Sequence, residues 1–434
     1  MPRAPRLPSI RALRHRNFRL FFGGQLISLI GTWMQSVAQS WLVYSLTGST
    51  MLLGLVGFAS QIPVFLLAPI GGVVADATSR HRVVVATQAS AMLLASILAT
   101  LTISGHIEIW HIFVLASLLG VVNAFDIPAR QSFIVEMVGR EDLVNAIALN
   151  SSIVNGARLV GPAVAGVLVS LVGEGWCFAA NALSYIAVIV GLLLMDVPRR
   201  VIEPRAGSAL HSVGEGFSFV AGTPPVRSLM LLLGLVSLMG MPYTTLMPVF
   251  ADRILGAGVG GLGVLMGMSG AGALIGALAL AAKRSLRGLG RWVAWSSAAF
   301  GAGLILFSLS RSFWLSAFLL VPVGCSMMVQ MASSNTLIQS MVPDHLRGRV
   351  MSIYSMMFMG MAPFGALMSG AIAHRLDAPP TVALGGVACL AGAAVFGVRL
   401  PAFRTAAREI ILALQPAGGE PSAATTAPTL AKDG

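Results

Sequence analysis

Basic residues recur at alternate gaps between the long apolar stretches of this chain. Twenty-four of its 28 Lys and Arg fall near the two ends of the sequence or in every second gap between about twelve apolar runs. Each run is close to the ~20 residues that an α-helix needs to cross a ~30 Å hydrocarbon core. Since Lys and Arg concentrate in cytoplasmic loops, the pattern predicts a multi-pass protein of the cytoplasmic (inner) membrane with both termini in the cytoplasm.

Composition supports a membrane protein and argues against a nucleic-acid-binding one. Apolar residues make up 56% of the chain and charged residues only 10%, far from the average of soluble domains. The net charge of +12 would suggest nucleic acid in a soluble protein. Here the basic residues are explained as loop anchors, so no nucleic-acid partner is expected.

The apolar runs divide the chain into two sets of six. The predicted spans are 20–44, 51–74, 83–103, 109–127, 143–171, 176–195, 226–250, 259–282, 290–310, 312–335, 347–373 and 380–399. An amino-terminal half (1–195) is thus followed by a cytoplasmic connector (196–225), a carboxy-terminal half (226–400) and a largely disordered cytoplasmic tail (401–434).

A faint internal repeat supports this division. Met137-Val138 precedes Glu141, and Met341-Val342 precedes Asp344, about 203 residues later. Two halves with the same direction of insertion are parallel repeats, an arrangement found in secondary transporters. The sequence therefore predicts an all-α membrane protein of twelve transmembrane helices, in two six-helix pseudo-symmetric halves around a central cavity.

Two motifs and three shorter segments resemble a known transporter family. Residues 72–82 read GVVADATSRHR, and residues 155–166 read NGARLVGPAVAG. The first is similar to the loop motif of the major facilitator superfamily, except at Ala77 and Ser79, and the second resembles the Gly-Pro motif of its antiporter branch. The segments at 16–25, 31–35 and 128–131 resemble the enterobactin-exporter branch of drug-efflux proteins.

Five polar side chains share one face of the first span. Gln25, Ser28, Thr32, Gln35 and Gln39 are three or four residues apart, which places them on one side of a helix. Because polar groups are costly in hydrocarbon, this face is expected to point at protein or at a water-filled cavity. We favour a cavity wall that binds substrate; the alternative is hydrogen bonding between packed helices.

Arg158 is the one formal charge that the sequence places deep within a span. An arginine there costs ~2.5–3.5 kcal/mol on insertion scales, so something must compensate it. Ser151 and Asn155 lie on the same helix face. Two roles stay open for Arg158: a cavity cation that attracts acidic groups of a substrate, or a tie between helices of the amino-terminal half. The following Gly161-Pro162 pair predicts a bend, because proline lacks a backbone donor.

Three charged residues are candidates for a conformational latch or for proton coupling. Asp76 and Arg80 border the first basic loop, where a carboxylate can accept hydrogen bonds from a helix N-terminus of the other half; the alternative is a solvated loop. Asp126 is placed at the end of the fourth span and is either a proton carrier, a helix-end cap or a local ion pair with Arg130. The sequence places no carboxylate in the middle of a span.

The family resemblance implies a transporter that works by alternating access and exports an amphipathic small molecule, such as a siderophore or a drug, in exchange for protons. A flippase for lysophospholipid-like molecules and a non-transporting membrane sensor stay open as alternatives. No enzyme is predicted, since no nucleophile–base pair stands out, and no cofactor or metal is expected. The expected partners are the small substrate, protons and the lipid bilayer, with the chain acting as a monomer.

Overall fold

The computed structural model describes residues 11–139, 141–197, 209–282, 288–343 and 345–414. Every regular element within these ranges is helical. The helices are α1 (Arg16–Thr47), α2 (Thr50–Ala77), α3 (Arg80–Ile103), α4 (Ile109–Val138), α5 (Leu143–Val172), α6 (Glu174–Leu193), α7 (Ala209–Gly222), α8 (Pro224–Ile254), α9 (Gly258–Ala281), α10 (Leu289–Leu309), α11 (Phe313–Met341), α12 (Arg347–Leu376), α13 (Ala378–Val398) and α14 (Leu400–Leu414).

The twelve predicted spans correspond to α1–α6 and α8–α13, so the predicted twelve-helix fold in two halves is confirmed. Within the described ranges, eleven helices are both long and apolar enough to cross a membrane. The twelfth is α1, which has 32 residues but carries the polar face described above. Helix α7 lies within the predicted connector, and α14 begins the predicted tail. Residues 198–208 and 415–434 lie outside the described part of the chain.

Helix ends are set by residues suited to them. Gly48 follows α1 in the left-handed conformation (φ 59°), and its N–H donates to the carbonyl oxygen of Tyr44; this is the usual glycine C-cap. Ser49 then precedes α2 and accepts a hydrogen bond from the backbone N–H of Leu52 at 3.3 Å, as expected of an N-cap serine. The turn between α1 and α2 therefore needs only two residues.

Helix α4 is longer than predicted, and this changes the position of two charges. It continues through Pro128 to Val138, because an internal proline is tolerated where neighbouring helices pack against a membrane helix. Asp126 does not end the helix, and both it and Arg130 lie within it. The prediction that Arg158 is the only charge inside a span, and that no carboxylate lies there, is therefore wrong.

Helix α8 is irregular where the predicted span 226–250 is uniform. It is π-helical at Val236–Gly240, a 3-10 helix at Met241–Thr244 and π-helical again at Phe250–Ile254. Pro242 follows the first π-helical turn and cannot donate a backbone hydrogen bond. Such π-turns often occur at functional sites, and this break faces the centre of the bundle.

The two halves touch along two seams, each with a glycine on both sides. In the first, a Cβ built on Gly54 of α2 would lie 2.9 Å from the Cα of Gly370 of α12. In the second, a Cβ built on Gly263 of α9 would lie 2.7 Å from the Cα of Gly166 of α5. Thr50 reinforces the first seam by donating its hydroxyl to the carbonyl oxygen of Gly370 at 3.3 Å.

Both seams lie towards the same end of the bundle. We call the end that carries the start of α1, the α2–α3 turn and the start of α8 the basic end. The seams lie towards the opposite end, near the start of α2 and the start of α9. Towards the basic end, a Cβ built on Gly72 or Gly348 would meet no described atom within 4 Å. The two glycine seams therefore hold the halves together at the opposite end.

Candidate functional site

A cavity of about 470 Å³ lies between the two halves. Its wall includes residues of α1, α2, α4, α5 and α6 from one half and of α8, α9 and α12 from the other. The polar lining residues are Thr32, Gln35, Ser36, Gln39, Ser40, Ser60, Gln61, Asn123, Arg158, Asn181, Tyr185, Thr244, Thr245 and Ser269. Amide and hydroxyl groups therefore dominate its polar surface.

The polar face of α1 divides into two parts. Thr32, Gln35 and Gln39 line the cavity. Gln25 and Ser28 are 2% and 4% exposed and lie outside this lining. From Thr32 onwards the polar face of α1 lines the cavity, whereas at Gln25 and Ser28 it packs against protein.

Gln35 serves as a cavity wall and also bonds to a neighbouring helix. Its side-chain oxygen accepts a hydrogen bond of 2.6 Å from the amide of Asn181 on α6. Ser184 in turn donates to the side-chain oxygen of Asn181 at 3.1 Å. These bonds fix the orientation of two amides in the cavity wall.

Arg158 reaches the cavity without a carboxylate partner in the described part of the chain. Its guanidinium lies 5.6 Å from the ring centroid of Trp33, and its Nη2 is 3.9 Å from the sulfur of Met327 on α11. A cation over an indole ring gains roughly 0.5–2 kcal/mol, and a thioether is a weak acceptor. Neither neighbour neutralises the charge, so it remains available to an anion.

The neighbours of Arg158 on the helix are arranged differently from the prediction. Asn155 donates its side-chain amide to the carbonyl oxygen of Ser151 at 2.9 Å, and neither residue is in the cavity lining. Pro162 lines the cavity. Gly161 allows α5 to approach α1, since a Cβ there would lie 2.5 Å from the Cβ of Trp33.

Asp126 is the centre of a buried polar network that joins three helices. It is 3% exposed; its Oδ1 accepts hydrogen bonds from Thr87 (2.8 Å) and Gln88 (2.9 Å) of α3. Its Oδ2 lies 3.1 Å from the Nε of Arg130. Arg130 also donates to the side-chain oxygen of Gln25 on α1 at 3.0 Å. This explains why Gln25 faces protein instead of the cavity.

Replacing Asp126 with asparagine should lower the free energy of unfolding by about 3 kcal/mol, because it leaves the partly buried charge of Arg130 without its counter-charge. Thermal unfolding of the purified protein measures the loss, and the double variant Asp126→Asn/Arg130→Gln should recover part of it. Asp142→Asn is the matched control: Asp142 pairs with the half-exposed His15 at 2.9 Å, and such pairs contribute about 1 kcal/mol or less. Equal losses in the two single variants would contradict a buried structural network.

The predicted latch residues lie at the basic end. Arg80 donates to the carbonyl oxygen of Ser132 and to the carboxylate of Glu136, both at 3.1 Å. Both partners belong to α4, in the same half as Arg80. Asp76 lies in the last turn of α2, and its side chain is outside the described part of the structure. The latch therefore remains a prediction.

Several cavity residues were not among the predicted site residues. Gln61 of α2, Asn123 of α4 and Asn181 of α6 belong to the cavity lining, and Thr244 and Thr245 lie at the break in α8. The sequence carries one signal for the first three, since each is an isolated amide within an apolar span, where polar groups are costly. A single residue gives no periodic pattern, so it does not show which side of the helix meets a cavity.

Comparison with known proteins identifies the family. A family model described as a transmembrane secretion effector matches residues 8–416. The staphyloferrin A transporter of Staphylococcus aureus is 27% identical over 380 residues, which cover 87% of this chain and 95% of that protein. The enterobactin exporter EntS of Shigella boydii is 24% identical over 376 residues, covering 87% and 90%.

The fold is also that of solved transporters. A bacterial homologue of the human lysosomal transporter Spinster, in an inward-facing and unoccupied conformation, matches with a TM-score of 0.68 at 15% identity, over 92% of this chain and 98% of that one. The family match covers nearly the whole chain, and the relatives named above are transporters or exporters. The chain is thus a secondary transporter that belongs to the transmembrane secretion effector family of the major facilitator superfamily.

Proposed function

We propose that the chain exports an anionic, oxygen-rich small molecule of the siderophore class. The observation that carries the proposal is the charge of the cavity: among its described lining residues, Arg158 is the only one with a formal charge. In a site of low dielectric constant, a cation attracts a carboxylate or catecholate far more strongly than in water, and it repels lipophilic cations. The names of the two siderophore transporters support the substrate class.

The remaining wall suits the oxygen atoms of such a ligand. Amides of Gln35, Gln39, Gln61 and Asn123 belong to the same cavity wall as Arg158 and supply donors and acceptors. A volume of about 470 Å³ falls within the roughly 300–1,000 Å³ of small-molecule sites. Since the wall comes from both halves of one chain, we propose the monomer as the working unit.

The basic end is proposed to face the cytoplasm of the cell, with both termini there, because Lys and Arg concentrate on that side. Because both glycine seams lie at the opposite end, we propose that the cavity opens at the basic end. A cytoplasmic substrate would therefore reach Arg158 without crossing either seam. In alternating access, an exporter loads its substrate in this conformation and releases it after the opposite seams open.

We further propose that export is coupled to protons through Asp126. Within the described residues it is the only buried carboxylate, and its helix neighbours Asn123 and Ile127 line the cavity. A proton on Asp126 would weaken the pair with Arg130 and release this cation towards the cavity side of α4. Substrate and proton would then compete for the same part of the amino-terminal half, as antiport requires.

Proton movement in proteoliposomes tests both parts of the proposal. With a pH-sensitive dye inside, a carboxylate or catecholate siderophore should drive proton flux, and a lipophilic cation should drive none. In Asp126→Asn proteoliposomes, labelled siderophore should still exchange, but without proton flux. Flux driven by the cation and not by the siderophores would contradict the substrate class, whereas unchanged flux in the variant would contradict the role of Asp126 alone.

A further inference from the structure

A second concave surface lies on the outside of the carboxy-terminal half. This groove, of about 690 Å³, runs between the basic ends of α8 and α13 and ends against the start of α14. Leu231 and Val395 belong to its apolar wall and are 64% and 57% exposed. Both helices belong to the same half, and none of the described residues that line the groove lines the central cavity. The groove is therefore separate from the substrate site and faces the bilayer.

Two arginines flank the groove at its basic end. Arg227 lies in the first turn of α8, and Arg399 directly follows α13; both line the groove and are exposed. Arg227 donates to the carbonyl oxygen of Ala221 at 3.1 Å. Within the described part of the chain, neither arginine pairs with a carboxylate, and none of the groove residues is acidic. An apolar surface thus ends in two positive charges at the height of the membrane–water boundary.

Helix α14 closes the groove and is itself well anchored. The rings of Phe396 and Phe403 lie 5.2 Å apart across the junction of α13 and α14. A Cβ built on Gly290, at the start of α10, would lie 3.1 Å from the ring of Phe403. Phe403 and Ala407 are buried, whereas Arg404 on the other face is exposed. This is the pattern of an amphipathic helix that lies along the membrane surface.

We propose that this groove binds an anionic phospholipid of the leaflet at the basic end. The acyl chains occupy the apolar wall between α8 and α13, and the phosphate lies between Arg227 and Arg399. Guanidinium groups hold phosphate by charge-assisted, often bidentate hydrogen bonds. Basic pockets between membrane helices bind lipid headgroups in this way. The inference does not depend on the transported substrate.

Native mass spectrometry of the full-length protein in detergent tests the proposal. Phosphatidylglycerol and phosphatidylcholine with the same acyl chains are titrated in turn, and the wild type should retain phosphatidylglycerol preferentially. Each basic residue near an anionic lipid contributes about fivefold in binding, so Arg227→Gln/Arg399→Gln should weaken phosphatidylglycerol binding about 30-fold. Ala391→Trp fills the apolar part of the groove without changing the charge, so it should weaken the binding of both lipids.

The matched control removes the same charge elsewhere at the basic end. Arg82 and Arg291 are exposed and do not line the groove, so Arg82→Gln/Arg291→Gln should bind phosphatidylglycerol as the wild type does. An equal loss in this control would show general surface attraction and overturn the proposal. So would a wild type without preference for phosphatidylglycerol. An unchanged thermal midpoint in the groove variants excludes misfolding as the cause of lost binding.

Discussion

Replacing Arg158 with glutamine should reduce transport of an anionic siderophore about 100-fold and leave a neutral analogue of similar size within a few-fold of wild type. Removing one partner of a buried charge pair costs 2–5 kcal/mol, and about 3 kcal/mol corresponds to a factor of about 100. Uptake of labelled compounds into proteoliposomes measures both rates. Equal losses for the two substrates would favour a structural role for the arginine.

Thermal stability separates the two roles of Arg158 independently of transport. If it were a structural tie, its loss would lower the thermal midpoint. An arginine without a carboxylate partner in a span costs ~2.5–3.5 kcal/mol, so we expect Arg158→Gln to raise the midpoint while transport falls. Transport by Arg158→Lys should lie between that of the wild type and that of Arg158→Gln. Lysine keeps the charge, but it loses the planar contact with Trp33 and the bidentate hydrogen bonds that a guanidinium can donate. Gln39 also belongs to the cavity wall. Gln39→Leu should weaken the binding of anionic and neutral substrates alike.

The fold could be predicted from the sequence because hydrocarbon imposes strict limits on it. Apolar length sets the number of spans, and the alternation of Arg and Lys sets their direction. The end of α4 could not be predicted in the same way. Pro128 and Arg130 have the composition of a loop, but the helix continues because Phe133 and other apolar residues beyond them are buried against neighbouring helices.

The site was predicted only in part, because periodicity gives the direction of a helix face but not what that face meets. The same face of α1 meets the Asp126 network at Gln25 and the cavity at Gln35. Whether a given turn of α1 meets the network or the cavity depends on how α4 and α6 pack against it. The sequence of α1 alone does not determine that packing. Arg158 was recognisable because a charge in a span is costly at any depth, whereas the break in α8 leaves no comparable signal.

Replacing Gly54 or Gly263 with valine should shift the transporter towards the state that is open at the end opposite the basic one. A Cβ on either residue would lie under 3 Å from the facing glycine of the other half, and overpacking costs about 1–3 kcal/mol. That cost applies only while the seams are closed. A cost of about 2.7 kcal/mol would change the ratio of the two states about 100-fold.

The shift between the two states can be measured as distances between pairs of spin labels, one label in each half. Leu46 and Leu376 are exposed at the opposite end, one in each half, and Arg82 and Arg291 are exposed at the basic end. In either valine variant, the first distance should lengthen and the second should shorten. Gly156→Val is the control at an open position, since no described atom lies within 4 Å of a Cβ there; it should change neither distance.

The two seams also test whether the halves move as rigid bodies. Gly54 lies in the α2–α12 seam and Gly263 in the α5–α9 seam, on opposite flanks of the cavity. If each half rotates as one unit, overpacking one seam must open both, and the two variants should give the same distance changes. If only the overpacked seam opened, the helices would move individually. Gly272→Val completes the comparison: this glycine packs against α11 within its own half, so the substitution should lower the thermal midpoint without separating the seams.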